Sequence, residues 1–199
     1  MVFFEGKLYV LTQGEGFFVL IIEENKDSRP AVSTIKQMIA DSHYPSFPIL
    51  DIWGSPIVEA RYLRHYLVVS RGQLLMVRRW LDDPHEVNAG DGDRTLSFEV
   101  FVLNSDLVGW MELKSLDGEA LLISKRGSMS VASSSFEGAK ADFIYFVYDT
   151  MAKQATMDDP FHDSGMYSLR DGTMIPFQRA VVPRHGRWFP AWLSLVVAQ

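Results

Sequence analysis

Cysteine is absent from the 199 residues. That removes disulfides and thiolate metal sites and suits a reducing compartment. Long apolar runs are absent as well. The longest, Phe17 to Ile22, falls far short of a bilayer span and fits a buried strand instead. Met1 leads straight into Val2-Phe3-Phe4-Glu5, without the basic start and apolar core of a signal peptide. No Asn-x-Ser/Thr acceptor occurs. Basic charge is in short supply: 19 Lys and Arg face 25 Asp and Glu, for a formal net charge of -6. A nucleic-acid binder carries a basic stripe, and the nearest thing to one is Arg179, Arg184 and Arg187 in an acid-free tail. Neither nucleic acid nor membrane is expected as a partner, and a cytoplasmic or nuclear location is the expectation. No helical periodicity of convincing length appears either.

What the sequence does contain is strand chemistry. Aromatics make up 13%, and Val, Ile, Phe and Tyr recur in short runs. Val2 to Phe4, Leu8 to Thr12 and Phe17 to Glu23 are separated by Glu5-Gly6-Lys7 and Gln13-Gly14-Glu15-Gly16, which predicts antiparallel hairpins. Ser33 to Ile39 suits a strand or a short helix, and Pro45, Pro48 and Pro56 make the residues after it loop-like. A second run has Tyr66 to Ser70 and Leu74 to Trp80 around Arg71-Gly72-Gln73. The polar loop Asp82 to Arg94 follows, then Leu96 to Leu103 and Trp110 to Leu113. A third run has Ala120 to Ser124, Met129 to Ala132, Phe143 to Tyr148, Gly165 to Leu169 and Thr173 to Phe177. The starts of the three runs lie about 55 residues apart, a little longer than the roughly 40 to 50 residues of a propeller blade. On spacing alone, a sandwich or an open barrel remains equally open.

Catalytic signals are weak. The histidines His43, His65, His85, His162 and His185 show no metal-ligand spacing, and the group His162, Asp163, Asp158 and Asp159 reads as a solvated acidic loop. Asp91 and Asp93 lack the twelve-residue calcium pattern. Gly14-Glu15-Gly16 is a hairpin turn rather than a phosphate loop. Ser128, Ser130 and Ser133 to Ser135 have no nucleophile elbow. Trp80, Trp110, Trp188 and Trp192 are core candidates by size. Tyr44 and Trp53 lie in the Pro-rich loop, where an exposed aromatic serves as a binding anchor, and they are the candidate protein-binding residues.

The third run also carries a recognisable order of segments. Gly118-Glu-Ala-Leu-Leu-Ile-Ser, Ser128-Met-Ser-Val-Ala, Phe136-Glu-Gly-Ala-Lys and Ile144-Tyr-Phe are followed by Asp163-Ser-Gly-Met-Tyr-Ser-Leu-Arg-Asp-Gly. Upstream stand Tyr66-Leu-Val-Val-Ser-Arg-Gly-Gln-Leu-Leu-Met-Val, Phe98-Glu-Val-Phe-Val-Leu and Trp110-Met-Glu-Leu-Lys-Ser-Leu. In this order they resemble the plant DUF295 family of KIB1-4-type β-propellers, from about Phe4 to Trp192. Ala139, Ala141 and Asp142 stand in a stretch where family members often have cysteines.

The resemblance implies an all-β fold: a partial propeller of about three to four blades of antiparallel strands over 1–177, with a Trp/Pro-rich tail over 178–199. It also implies a protein-interaction module without catalysis, needing no cofactor or metal. Such a module resembles the substrate-recognition propeller of plant F-box proteins, which present a client for ubiquitination, and some members engage kinases in brassinosteroid signalling. A client protein bound through propeller loops, a kinase among the classes, is therefore the expected partner. Family members are usually longer and many begin with an F-box, which this sequence does not contain. Read as a domain part, the chain is expected to leave the edges of Val2 to Phe4 and Thr173 to Phe177 open to self-association. The alternative is a propeller enzyme acting on a glycan, which would need convergent carboxylates on its strands.

Overall fold

The computed structural model describes residues 1–12, 15–40, 62–81, 94–104, 109–125, 127–135, 138–147 and 163–177. Among them there is no helix; the regular structure is entirely strand. The first sheet is a meander of β1 (Val2–Phe4), β2 (Lys7–Leu11), β3 (Phe17–Glu24) and β4 (Pro30–Ile39), all antiparallel. The segment left open between strand and helix is thus a strand, and a long one. It pairs with β3 from Glu24 opposite Pro30 to Phe17 opposite Ile39. Pro30 opens it at the sheet edge, where a missing N–H costs nothing.

The second sheet repeats this plan with β5 (Tyr62–Ser70), β6 (Gln73–Leu81), β7 (Thr95–Asn104) and β8 (Gly109–Leu113). The β5–β6 hairpin turns on Arg71 and Gly72, both at positive φ (49° and 73°). Two consecutive left-handed residues give the turn whose twist matches the flanking strands.

The third sheet departs from the plan. It holds β9 (Glu119–Ile123), β10 (Met129–Ala132), β11 (Phe143–Phe146), β12 (Gly165–Ser168) and β13 (Met174–Pro176) in the order β10-β9-β11-β12-β13. The β9–β11 pair is parallel, with Ile144 opposite Leu121, so this blade is not antiparallel throughout. Asp142 secures the crossover. Its carboxylate accepts the Leu116 N–H (2.6 Å), the Ser115 hydroxyl (3.0 Å) and the Arg170 guanidinium (3.0 Å), and its own N–H donates to the Glu119 carbonyl. The residue in the stretch where relatives often carry cysteine is here a bracket for the start of β9. Gly165 is needed at the far side: a Cβ there would lie 2.5 Å from the Ile175 carbonyl oxygen of β13.

Strand alternation puts the second sheet between the other two. Tyr66, Val68, Leu75, Val77, Phe98 and Val100 face the third sheet and pack on Leu121, Ile123, Ile144, Phe146 and Tyr167. Leu67, Leu74 and Met76 face the first sheet and pack on Phe17, Tyr9 and Leu11. β5 touches both β1 and β10, so the three inner strands gather along one line. Three blades side by side with their inner strands together form a partial β-propeller. Among the described residues β1 pairs only with β2 and β13 only with β12. The outer face of the first sheet carries a cross-strand row of Phe3, Leu8, Leu20 and Ile35, in which Phe3 and Ile35 are 64% and 65% exposed.

Candidate functional site

The inner strands β1, β5 and β10 all begin around one cleft of about 480 Å³. Met1, Leu11 and Thr12 line it from the first sheet. Leu63 to Leu67 line it from β5, and Ser124, Lys125, Gly127 and Ser128 from the turn joining β9 to β10. Other strand ends meet at the same side of the sheets: Ile39 pairs with Phe17 beside Leu11, Leu81 pairs with Tyr62, and the Val147 N–H reaches the Ile123 carbonyl. These strand ends are therefore brought together by topology.

The cleft has a built floor on each side. Thr12 accepts the Gly16 N–H through Oγ1 (2.9 Å) and donates its own N–H to the Gly16 carbonyl (2.9 Å), which ties the end of β2 to the start of β3; Gln13 and Gly14 of the expected turn lie outside the described residues. On the other side the Ser124 hydroxyl donates to the Gly127 carbonyl (2.7 Å), and the Ser128 hydroxyl donates to the Ser124 carbonyl (3.1 Å). These serines hold a turn together. Ser130 similarly bonds Glu119 (2.8 Å) and Ser70 (2.7 Å), tying β10 to β9 and to the second sheet.

Behind the cleft, two adjacent arginines of β6 point to opposite faces. Arg78 turns to the first sheet and grips Glu15 with two hydrogen bonds, Nε to Oε1 at 2.5 Å and Nη2 to Oε2 at 2.6 Å. It also reaches Glu99 (3.3 Å) and lies 4.4 Å from the centroid of the Phe101 ring. His65 donates through Nε2 to the same Glu15 (2.9 Å). Burial alone would raise the Glu15 carboxyl, but the hydrogen bonds from Arg78 and His65 outweigh it and hold the group below the ordinary glutamate range. Burial pushes the His65 imidazole below the usual histidine value, and Glu15 offsets this only in part. Burial likewise opposes the Arg78 charge, yet the bonds to Glu15 and then Glu99 leave it raised.

Arg79 turns the other way and is 1% exposed. It donates to Asp163 Oδ2 (2.7 Å), Thr95 Oγ1 (2.8 Å), the Val147 carbonyl (3.1 Å) and the Tyr66 hydroxyl (3.4 Å), with the Phe146 ring 4.9 Å from its carbon. Asp163 completes the cluster by accepting the Thr95 N–H (2.9 Å) and hydroxyl (2.7 Å). Its carboxylate is spent on binding the second sheet to the third, which answers the acidic-loop reading at that residue. Its sequence neighbours Asp158, Asp159 and His162 lie outside the described residues, as do Asp91 and Asp93. Among the described residues no three His, Asp or Glu side chains come together as a metal site.

Tyr44 and Trp53, the sequence-predicted anchors, lie outside the described residues, and so do His43, His85, His185, Trp188 and Trp192. Trp110 meets the core expectation in part: it is half-buried, edge-on to Phe17 at 5.1 Å, with its indole nitrogen buried and unbonded among the described residues. The paired arginines and the cleft itself were not found by sequence reasoning. The available signal was Arg78-Arg79 inside an otherwise apolar strand, where charge is seldom buried without a partner.

Comparison with known proteins agrees with this architecture. The sequence matches the family described as KIB1-4 beta-propeller over residues 1–168. It is similar to the F-box protein At2g17690 of Arabidopsis thaliana, 28% identical over 145 residues, which cover 70% of this chain and 33% of the relative. The chain therefore spans about a third of the length of that curated relative. No solved structure matches it.

Proposed function

Because this chain belongs to the KIB1-4 β-propeller family, we propose that it is a non-catalytic protein-binding module of the kind that recognises substrates for F-box ubiquitin ligases. The observation that supports this best is the gathering of strand ends at one side of the blades, around the cleft where β1, β5 and β10 begin. A rigid sheet scaffold with its connections clustered at one end is how propellers present a partner surface. The client meets this end, and a kinase is the client class that the family resemblance suggests.

The buried carboxylates of the described residues have structural partners. Glu15 is held by Arg78 and His65, Asp142 by the Leu116 N–H, Ser115 and Arg170, and Asp163 by Arg79 and Thr95. A general acid or base needs a titratable group aimed at substrate, and these three are aimed at the fold.

Photo-crosslinking tests the reading. A photoreactive residue at Lys125, beside the cleft, is expected to capture a discrete protein from plant-cell extract. The same probe at Arg29, in the β3–β4 turn at the opposite end of the first sheet, is expected to capture none. Equal labelling at both positions, or capture at neither, rejects the proposal. Turnover of a glycan by the purified chain, lost on changing one carboxylate, would replace it with the enzymatic reading.

A further inference from the structure

We propose that the outer face of the first sheet seats a second copy of this chain, the two copies packing face to face about a twofold axis. Strand alternation builds the face. Tyr9, Leu11 and Phe17 point to the second sheet, so their neighbours along the strands point away from it. Phe3, Leu8, Leu20 and Ile35 form the central cross-strand row. Phe18 and Ile22 of β3 stand on either side of that row, each paired with a valine. Ile22 is exposed, as Phe3 and Ile35 are. Among the paired residues of this face only Glu24, opposite Pro30 at one end, carries a charge, and Gln37, opposite Phe18, adds one amide. The proposal stands apart from the client-binding reading: the cleft lies at the strand ends, and this face lies along the strands.

The other sheet faces carry buried side chains. The second sheet is buried against its neighbours on both sides, and the outer face of the third holds Ala120, Leu122 and Tyr145, all buried. Among the described residues, the first sheet thus ends the stack with the same apolar chemistry that joins the blades. A contiguous apolar patch of this kind marks an interaction surface. A second copy fits it best. It offers a face of the same width, twist and side chains, and with charge kept to one end an isologous contact need not oppose like charges at its centre. Two apolar sheet faces pack about 10 Å apart without special shape. Four strands about 4.8 Å apart and three side-chain rows about 6.8 Å apart make a face on the order of 400 Å². Two such faces with their rims approach a total of about 1,000 Å², the size of a weak but specific interface. The dimer is therefore reversible. It also differs from pairing at the open edges of β1 and β13, which would leave this face in water.

Sedimentation equilibrium of the purified chain across the micromolar range tests this. A monomer–dimer equilibrium without larger species is expected. Ile35→Lys on β4 and Ile22→Lys on β3 should each raise the dissociation constant about tenfold or more, the size expected when a large apolar side chain loses its burial. Both side chains are exposed in the single chain, so the variants keep the fold, which thermal melts of dilute samples check. Leu96→Lys, at an exposed apolar residue of the second sheet, should leave the constant within about twofold, as expected for a surface substitution away from the contact. A monomer at every concentration overturns the inference. So does a dimer that ignores Ile22→Lys, because β3 is an interior strand of its sheet and takes no part in edge pairing. Open-ended growth into larger species overturns it as well, because a twofold contact closes at two copies. If the parent chain is monomeric and the two lysine variants lose the partner captured from Lys125, the face belongs to the client and the second copy is rejected.

Discussion

The second blade meets its two neighbours through adjacent residues of one strand, and the two junctions are built differently. Toward the third sheet, twelve buried side chains among the described residues form a continuous core, and Arg79, 1% exposed, closes it against Asp163. Toward the first sheet, the buried set among the described residues is four, Phe17, Leu67, Leu74 and Met76, bordered by half-buried ones. There Arg78 remains 19% exposed, and its partner Glu15 is shared with the His65 imidazole, which burial holds below the usual histidine value. One junction is closed by a deeply buried ion pair. The other is thinner and exposed to acid. Its weaker side also borders the cleft, through Leu11, Thr12 and His65. Stability is thus distributed unevenly around the proposed binding surface, as is common where a site is built on a scaffold.

Substitutions can break this contrast, beginning with the most damaging. Arg79→Ala leaves Asp163 buried beside Thr95 without its counter-ion. It should cost about 3–5 kcal/mol, the range for removing one member of a buried pair, read as a fall in the urea midpoint. Phe17→Ala removes a ring stacked on Tyr9 at 5.5 Å and edge-on to Trp110. It should cost about 3 kcal/mol, the low end for a buried phenylalanine, with hydrogen exchange rising in β2 and β3 while β9 and β11 stay protected. An equal rise in β9 and β11 would mean that the two junctions are energetically one. Arg78→Ala should cost less, about 1–3 kcal/mol, because water reaches the site and can solvate Glu15.

Acid sharpens the contrast further. The folded values of His65 and Glu15 both lie below their ordinary values, so the unfolded chain binds the extra proton first. Stability is then full above the ordinary histidine value and falls as pH drops through it. It falls again below the ordinary glutamate value. Melts from pH 8 to 4 should show the first step shrink in His65→Gln, and a step of unchanged size would remove His65 from the account. The smallest effect belongs to the surface pair of Lys114 with Glu112, both well exposed. Lys114→Ala should shift stability by less than about 0.5 kcal/mol.

Much of this molecule was legible in its residues, and what was not had a physical reason. The strands of the first two blades follow from their Gly-bearing turns and apolar runs. Arg71-Gly72 in particular marks a hairpin that the backbone angles bear out. Ser33 to Ile39 stayed ambiguous because its polar and apolar residues fit either period, and the outcome was settled by pairing with β3. Pairing partners are a tertiary matter, so the parallel contact of β9 with β11 left no local trace. The same holds for Glu15, which reads as a turn residue and reaches Arg78 only once two blades are in place. Tyr44 and Trp53 could be chosen by type but not positioned, and they lie outside the described residues.

The parallel β9–β11 pair carries a kinetic consequence. The first two blades are meanders whose successive strands meet across turns or loops, so each can zip from its own hairpins. β9 and β11 must find each other with β10 already folded back between them in the chain. Closing that longer segment costs entropy before any contact rewards it. The third blade should therefore complete last in refolding, and the Arg79 bonds to the Val147 carbonyl and to Asp163, which need β11 and β12 in place, should form only at that final step.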